Sequence, residues 1–244
     1  MNNILTITKR ELRGYFSSPV AFVFIVIFLL LSGFFTFMVA GLFQRGEASL
    51  QAFFTWHPWL YLFLVPAVGM RMWSEERRLG TIELLLTMPI TPWQAIVGKF
   101  LASWAVVALA LVLTFPVVLT VNYLGSPDNG VILGGYIGSL FMAGAYLAVT
   151  AMTSAMTRNQ VVSFIVAVVL SLFLILAGFP PVTNMLVSWA NPWLVDGIAS
   201  FSVMTHFESI QKGVLDSRDI LYFLSVIGFC LFTTSIIIRT HRAG

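Results

Sequence analysis

The sequence predicts an all-α polytopic membrane protein with six transmembrane helices, and two observations carry this prediction. Of its 244 residues, 59% are hydrophobic and only 9% are charged, which gives a mean hydropathy of +0.93. A soluble domain of this size cannot bury so much apolar surface, so the bilayer must serve as its solvent. A spanning helix needs about 20 apolar residues. Six runs of that kind occur, at residues 20–43, 53–72, 92–123, 131–156, 161–179 and 220–238.

The distribution of basic residues predicts the orientation of these spans. Of the 13 Lys and Arg residues, only Arg45, Lys212 and Arg218 fall on one side of the predicted membrane, and the others fall on the opposite side. The positive-inside rule places the basic side in the cytoplasm, together with both termini and residues 70–99. The net charge of +3 then follows from topology, and a nucleic-acid partner is not needed to explain it.

Residues 1–18 predict an amphipathic helix that lies on the cytoplasmic interface. Five apolar side chains fall within an arc of about 120° when plotted at 100° per residue. They are Ile4, Leu5, Leu12, Tyr15 and Phe16. Lys9, Arg10 and Arg13 fall on the other side, where anionic headgroups would attract them. An ordinary basic flank is the alternative interpretation. Ser18-Pro19 predicts a capping residue and a first-turn proline for the span that follows.

The most informative stretch is the polar interruption at residues 70–99, between two apolar runs. Seven charged side chains lie there: Arg71, Glu75, Glu76, Arg77, Arg78, Glu83 and Lys99. They are too dense to remain in hydrocarbon, so we expect a short helix exposed to the cytoplasm. We expect Ser74 to cap it, Glu75 and Glu76 to occupy its first turn, and Gly80 to allow a bend. Thr91-Pro92 predicts the start of the next span.

Residues 180–215, on the predicted outer side, are too polar and interrupted for a simple span. We expect one or two short re-entrant helices there, and then a last helix capped by Asp216 or Asp219. Asp196, His206 and Glu208 are candidates for a metal or acid–base site, but no ligand spacing fixes one. Outward-facing polar side chains are therefore the favoured interpretation.

Two smaller features of the spans have more than one interpretation. Gly134 and Gly138 form a GxxxG pair in the fourth predicted span. Such small residues predict close helix packing, either within one subunit or at a dimer seam. Cys230, the single cysteine, lies inside the last span and is best explained as a small apolar filler.

The charged segment and its flanks resemble the type 2 ABC-exporter permeases. The family signature is similar to Met70-Arg71, Glu75-Glu76 and residues 80–90, which read GTIELLLTMPI. The branch that contains the gliding-motility-associated permease subunit is the most similar. Further matches extend over nearly the whole chain, at Lys9-Arg10-Glu11-Leu12, Ser18-Pro19, residues 48–50 and 53–54, His206-Phe207 and Lys212-Gly213-Val214.

The resemblance implies one permease domain, residues 1–244, with six spans and short re-entrant helices before the last one. It also implies a second permease copy, a separate ABC ATPase and a place in the bacterial inner membrane, and it allows an accessory envelope subunit. In this family the segment after the second span, here residues 74–90, is a coupling helix that docks on the ATPase. The coupling residues would be Glu75, Glu76, Arg77, Arg78, Gly80, Thr81 and Glu83. Lys9, Arg10 and Glu11 form a second candidate contact.

The sequence agrees with such a division of labour, since it contains no GxxxxGK[ST] phosphate loop. Gly98-Lys99 lacks the leading glycine, because position 93 is Trp. We therefore expect no catalytic residue, metal or cofactor in this chain, with ATP and Mg²⁺ bound by the partner ATPase. A secondary transporter or channel is the main alternative, although no clear mid-membrane charge supports ion coupling. An intramembrane enzyme is a weaker one, because no GxSG-like motif surrounds Ser139. Export and a mechanical role in the envelope have the same sequence features.

Overall fold

The chain folds into helices joined by short loops. The computed structural model describes residues 2–82, 90–187 and 191–240, and these ranges contain no strand. The helices are α1 (Asn2–Ser17), α2 (Pro19–Phe34, extended by a π-helical turn, Phe35–Val39), α3 (Leu42–Arg45), α4 (Gln51–Thr55), α5 (His57–Gly69), α6 (Arg71–Leu79), α7 (Pro92–Val112), α8 (Phe115–Leu124), α9 (Asn129–Met156), α10 (Gln160–Leu176), α11 (Pro180–Val187), α12 (Pro192–Ser200), α13 (Val203–Gln211) and α14 (Ser217–Thr240). The all-α prediction is confirmed for the described residues.

Four helical stretches of the described chain are long and apolar enough to cross a membrane. They are Pro19–Gln44, Pro92–Leu124, Asn129–Met156 and Ser217–Thr240. The pair α10 and α11 adds a fifth if it forms one span, bent by 62°. The remaining predicted run, 53–72, is divided among α4, α5 and α6. The count of six spans therefore remains a prediction.

Two helix starts were predicted from Ser/Thr-Pro pairs, and they differ in the structure. At Thr91 the hydroxyl accepts the Gln94 N–H at 3.3 Å and the Gln94 side chain accepts the Thr91 N–H at 3.1 Å, so a full capping box starts α7. At Ser18, Pro19 does stand in the first turn of α2, but the Ser18 hydroxyl donates to the Tyr15 carbonyl instead. Ser18 is thus the N-cap residue of α2, as predicted, but its side chain bonds back to α1 and makes no capping hydrogen bond.

Helix α9 forms the centre of the bundle and contacts α5, α6, α7, α10, α13 and α14. In its most apolar stretch 67% of the residues are buried, against 22–39% in the other three candidate spans. Gly134 and Gly138 face α13. A Cβ on Gly138 would lie 2.7 Å from Cγ2 of Ile210, and one on Gly134 would lie 3.3 Å from the Ile210 carbonyl oxygen. The GxxxG pair therefore serves packing within the subunit.

The segment expected to hold one or two short helices holds three, α11, α12 and α13. The extra helix forms because Asn191-Pro192 and Ser202 provide two separate helix starts. Asp216 caps α14 by accepting the Arg218 N–H at 2.9 Å, as predicted. Asp219 does not act as a cap and instead pairs with His206. No group of three or more His, Cys, Asp and Glu in the described ranges could hold a metal ion, so Asp196, His206 and Glu208 form no such cluster there.

The α9–α13 packing predicts that Gly138→Ala will destabilise the protein. The added methyl would overpack the contact with Ile210, at a cost of about 1–3 kcal/mol. Gly228→Ala in α14 is the matched control, because nothing lies within 4 Å of an added Cβ there. That control should be neutral or slightly stabilising, since Ala is the better helix former. Thermal unfolding of the purified variants measures the difference, and equal midpoints would contradict the packing.

Candidate functional site

Helix α6 carries most of the residues predicted to contact an ATPase. It follows α5 after one residue, Met70, which keeps a right-handed helical backbone conformation. Ser74 lies inside α6, is fully buried, and its hydroxyl donates to the Met70 carbonyl at 2.5 Å. The predicted N-cap at Ser74 is therefore wrong. No new helix begins there, so Glu75 and Glu76 do not occupy the first turn of a separate helix.

The hydroxyl of Ser154 in α9 fixes the junction between α5 and α6. It accepts the N–H groups of Trp73 and Ser74, both at 3.0 Å, and donates to the Met70 carbonyl at 2.8 Å. One hydroxyl can accept two bonds and donate one, so its capacity is used in full. Arg77 adds a bond from its guanidinium to the carbonyl of Ala155. The base of α6 is thereby tied to the end of α9.

Lys99 of α7 joins α6 to α1 through two carboxylates. Its Nζ lies 2.8 Å from Oε1 of Glu76 and 3.1 Å from Oε2 of Glu11. The Lys99 side chain is only 6% exposed, and its Nζ lies 5.4 Å from the centroid of the Trp73 ring. Removing an ammonium from water costs several kcal/mol unless such partners compensate. We call Lys99, Glu11 and Glu76 the Lys99 node.

Helix α1 packs directly on α7 beside this node. Gly98 allows the approach, since a Cβ there would lie 2.7 Å from Cγ2 of Ile7. The Thr8 hydroxyl donates to the Gly98 carbonyl at 3.2 Å, and the Tyr15 hydroxyl lies 2.7 Å from that of Ser103. Ile7 is buried although the predicted apolar arc omits it. The side of α1 that faces protein is thus set by α7.

The second predicted ATPase contact, Lys9, Arg10 and Glu11, lies partly at the surface and partly in the interior. Lys9 and Arg10 are exposed, whereas Glu11 turns inward to the node. Arg10 also pairs with Glu11, with Nη2 2.7 Å from Oε1. Sequence reasoning placed Glu11 and Glu76 at a docking surface and gave Lys99 no role. The only feature of the sequence that could have indicated a role for Lys99 is its single positive charge near the start of an apolar helix.

The far end of α6 is exposed, and we call residues Arg78–Thr81 the α6 tip. Arg78 pairs with Glu75 at 3.5 Å, and their side chains are 59% and 38% exposed. Gly80 has φ +72°, which ends the helix in a left-handed conformation that glycine adopts without strain. Thr81 is exposed. The predicted coupling residue Glu83 lies outside the described residues, as do the leucines at 84–86.

The charges of the node shift the pKa of Glu11. Burial raises the pKa of this carboxyl, but the neighbouring Lys99 and Arg10 outweigh burial, so the pKa lies below its ordinary 4.5. Glu11 is thus ionised at neutral pH, as its two cationic partners require. Burial also raises the pKa of Tyr15 to about 12, so its hydroxyl keeps the proton that it shares with Ser103.

Comparison with known proteins assigns the chain to a family. Residues 51–239 match the ABC-2 family transporter protein. The chain belongs to this ABC-2 transporter family. Among curated relatives it is similar to the inner membrane transport permease YhhJ of Escherichia coli K12 and of Shigella flexneri. Each is 31% identical over 149 residues, which cover 58% of this chain and 36% of the relative. The chain therefore spans little more than a third of the length of these relatives.

Family membership makes the chain a membrane protein of the transport-permease class. The matched range includes α6, Lys99 and Ser154, whereas α1 with Glu11 lies before it. The resemblance to type 2 ABC permeases is thus confirmed at the level of the superfamily.

The Lys99 node predicts that Lys99→Met will lower the free energy of unfolding by about 3 kcal/mol. This is the lower end for a broken buried ion pair, because Glu11 and Glu76 are about a fifth exposed. Adding Glu11→Gln and Glu76→Gln should restore most of the loss, since no unpaired carboxylate then remains. Denaturant unfolding in detergent measures both effects. Lys9→Met, at an exposed position, is the control, and a loss as large there would contradict the node.

The lowered pKa of Glu11 predicts that docking of α1 weakens in acid. The stabilisation is complete above the ordinary pKa of 4.5 and is lost as the pH falls through the lower folded-state value. Amide hydrogen exchange of α1, corrected for intrinsic rates, should therefore lose protection below pH 4.5 while α9 keeps it. Glu11→Gln should abolish this dependence, and Glu47→Gln, in an exposed loop, should leave it intact. A pH-independent α1 would count against the ion pair.

Proposed function

We propose that the chain is the membrane-spanning permease subunit of an ATP-driven ABC transporter, working with a separate ATPase subunit. Family membership supports the permease class. The absence of a GxxxxGK[ST] loop from the sequence supports a second chain for nucleotide hydrolysis. The proposal gives the chain no catalytic residue, and it places ATP and Mg²⁺ in the partner.

The observation that carries the proposal is the attachment of α6 at its base and its exposure at its tip. The base is held by Ser154 and by Lys99, which belong to two different candidate spans. A push on the α6 tip therefore cannot be absorbed at the junction and passes to α7 and α9. Such a rigid connection between a surface and a helix bundle is what a coupling element needs.

Within this proposal the predicted coupling residues have two different roles. Glu75, Arg78, Gly80 and Thr81 would meet the ATPase surface and set the docking register. Glu76 and Arg77 would act as positioning residues, because both already bind groups within the subunit. Lys9 and Arg10 form the second proposed contact, and Glu11 positions α1 beside it.

The wider assembly follows the resemblance and belongs to the same proposal. Two permease copies with two ATPase copies would sit in the bacterial inner membrane, each permease with six spans and both termini in the cytoplasm. ATP binding would move both α6 tips and shift the two membrane halves between inward- and outward-facing states. Export, or a mechanical change in an accessory envelope subunit, would be the output. We also propose the gliding-motility-associated branch as the nearest type.

The decisive experiment is charge reversal at the α6 tip. Arg78→Glu should weaken association with the co-purified ATPase about tenfold, because it places two carboxylates side by side on the docking surface. Binding is measured by surface immobilisation of the permease in nanodiscs, and stimulation of ATP turnover is measured in proteoliposomes. Thermal unfolding should not change, since Arg78 is exposed.

The matched control is Arg218→Glu, an exposed arginine at the predicted opposite face. It should leave ATPase binding unchanged. Glu76→Lys is a poorer test, because it would face Lys99 and destabilise the fold itself. Full binding and turnover in Arg78→Glu, or an equal loss in the Arg218 variant, would overturn the coupling assignment.

A further inference from the structure

His206 of α13 has both ring nitrogens against acceptor oxygens. Nδ1 lies 2.6 Å from Oδ1 of Asp219, and Nε2 lies 3.0 Å from the carbonyl oxygen of Ser200. A carbonyl can only accept, so Nε2 must carry a proton. The contact between Nδ1 and the carboxylate needs a second proton. The imidazole and the carboxyl group therefore hold two protons between them.

These contacts join three helices. Ser200 ends α12, His206 lies in α13, and Asp219 and Tyr222 lie in α14. The Tyr222 ring stacks on His206 with 4.0 Å between centroids, and its hydroxyl donates to the carbonyl of Phe201 at 2.6 Å. We call these five residues the His206 latch. The imidazole is its centre, since it touches the other two helices.

The latch borders an apolar cavity of about 560 Å³ between α9, α10 and α14. Ser200, Phe201 and Tyr222 line it at one end. The rest of its lining is almost wholly apolar, with residues such as Phe173 and Phe229. The end of α12 therefore forms part of the wall of this cavity, and the bond from His206 to Ser200 is one of the bonds that hold it there.

Few other charged groups of the described chain lie on the elements packed around the imidazole. Asp196 on α12, Lys212 after α13, and Asp216 and Arg218 beside Asp219 are exposed, and Glu208 on α13 is half-buried. Helices α10 and α11 contribute no ionisable side chain, and α9 contributes only tyrosines. None of these groups pairs with His206 in the described ranges, so Asp219 is its one charged partner.

We propose that the His206 latch is a proton-controlled device that holds the end of α12 over the apolar cavity. With both nitrogens protonated, the imidazolium ties α12 to α14. When the pH rises and one proton leaves, one of the two bonds must break. The bond to Asp219 survives, because a carboxylate is a stronger acceptor than a neutral carbonyl. Nε2 therefore loses its proton, its lone pair faces the Ser200 oxygen, and the end of α12 is held only by its other bonds, such as that from Tyr222 to Phe201.

This chemistry sets the direction of the pH dependence of the latch. The latch is closed while both ring nitrogens carry protons, and it opens when a rise in pH removes one of them. The proposal concerns contacts within this chain and does not depend on the coupling proposal.

The first test uses the unaltered protein. Histidine-selective ¹⁵N spectra of the full chain in lipid nanodiscs, recorded from pH 5.5 to 8.5, report the protons on each ring nitrogen. The His206 signals are recognised by their contact with the Tyr222 ring. We expect both nitrogens protonated at the acid end and loss of the Nε2 proton, with Nδ1 still protonated, at the alkaline end. Loss of the Nδ1 proton, or a ring that never changes, would overturn the proposal.

The second test measures how firmly the end of α12 is held. Protection of the Phe201 and Ser202 amides, which bond to the Ile198 and Ala199 carbonyls in the last turn of α12, should fall about tenfold from pH 6 to pH 8 after correction for intrinsic exchange. His206→Gln should remove this dependence, and Glu208→Gln, on the same helix, should keep it. A constant wild-type protection factor, or the same slope in the His206 variant, would refute the latch.

Discussion

One buried ammonium fixes the arrangement of the cytoplasmic elements. Lys99 is 6% exposed and therefore cannot rely on water, so it requires acceptors from the protein. Its two acceptors come from α1 and α6, which are far apart in the sequence. The ion pairs of this single side chain thus fix the positions of both α1 and α6. Gly98, next to Lys99, lets α1 approach closely enough for the contact to form.

The same constraint turns α6 into a rigid extension of the bundle. Its base has backbone bonds to Ser154 and an ion pair to Lys99, whereas its tip beyond Arg77 contacts little of the described chain. A helix fixed at one end and exposed at the other transmits displacement better than it absorbs it. The proposed coupling role therefore depends on the buried charges, although a partner would meet only the exposed ones.

Local patterns in the sequence predicted the local features well. The apolar runs, the helix start at Thr91 and the cap at Asp216, one of two candidates, each depend on residues a few positions apart. The tertiary pairings could not be predicted in this way. Glu11 and Lys99 are 88 positions apart, and the charges of Glu11 and Glu76 suit an exposed docking face as well as a buried node. The N-cap prediction at Ser74 failed for the same reason. The Ser74 N–H bonds to Ser154, 80 positions away, and the sequence does not show that contact.

The Lys99 node and the His206 latch differ in what can change them. In the Lys99 node one ammonium binds two carboxylates, so the loss of one contact leaves the other in place. In the His206 latch each ring nitrogen has a single acceptor, so the proposed loss of one proton removes one of its two contacts. A contact that one proton can break would let the end of α12, which lines part of an apolar cavity, respond to pH, whereas the node offers no such response.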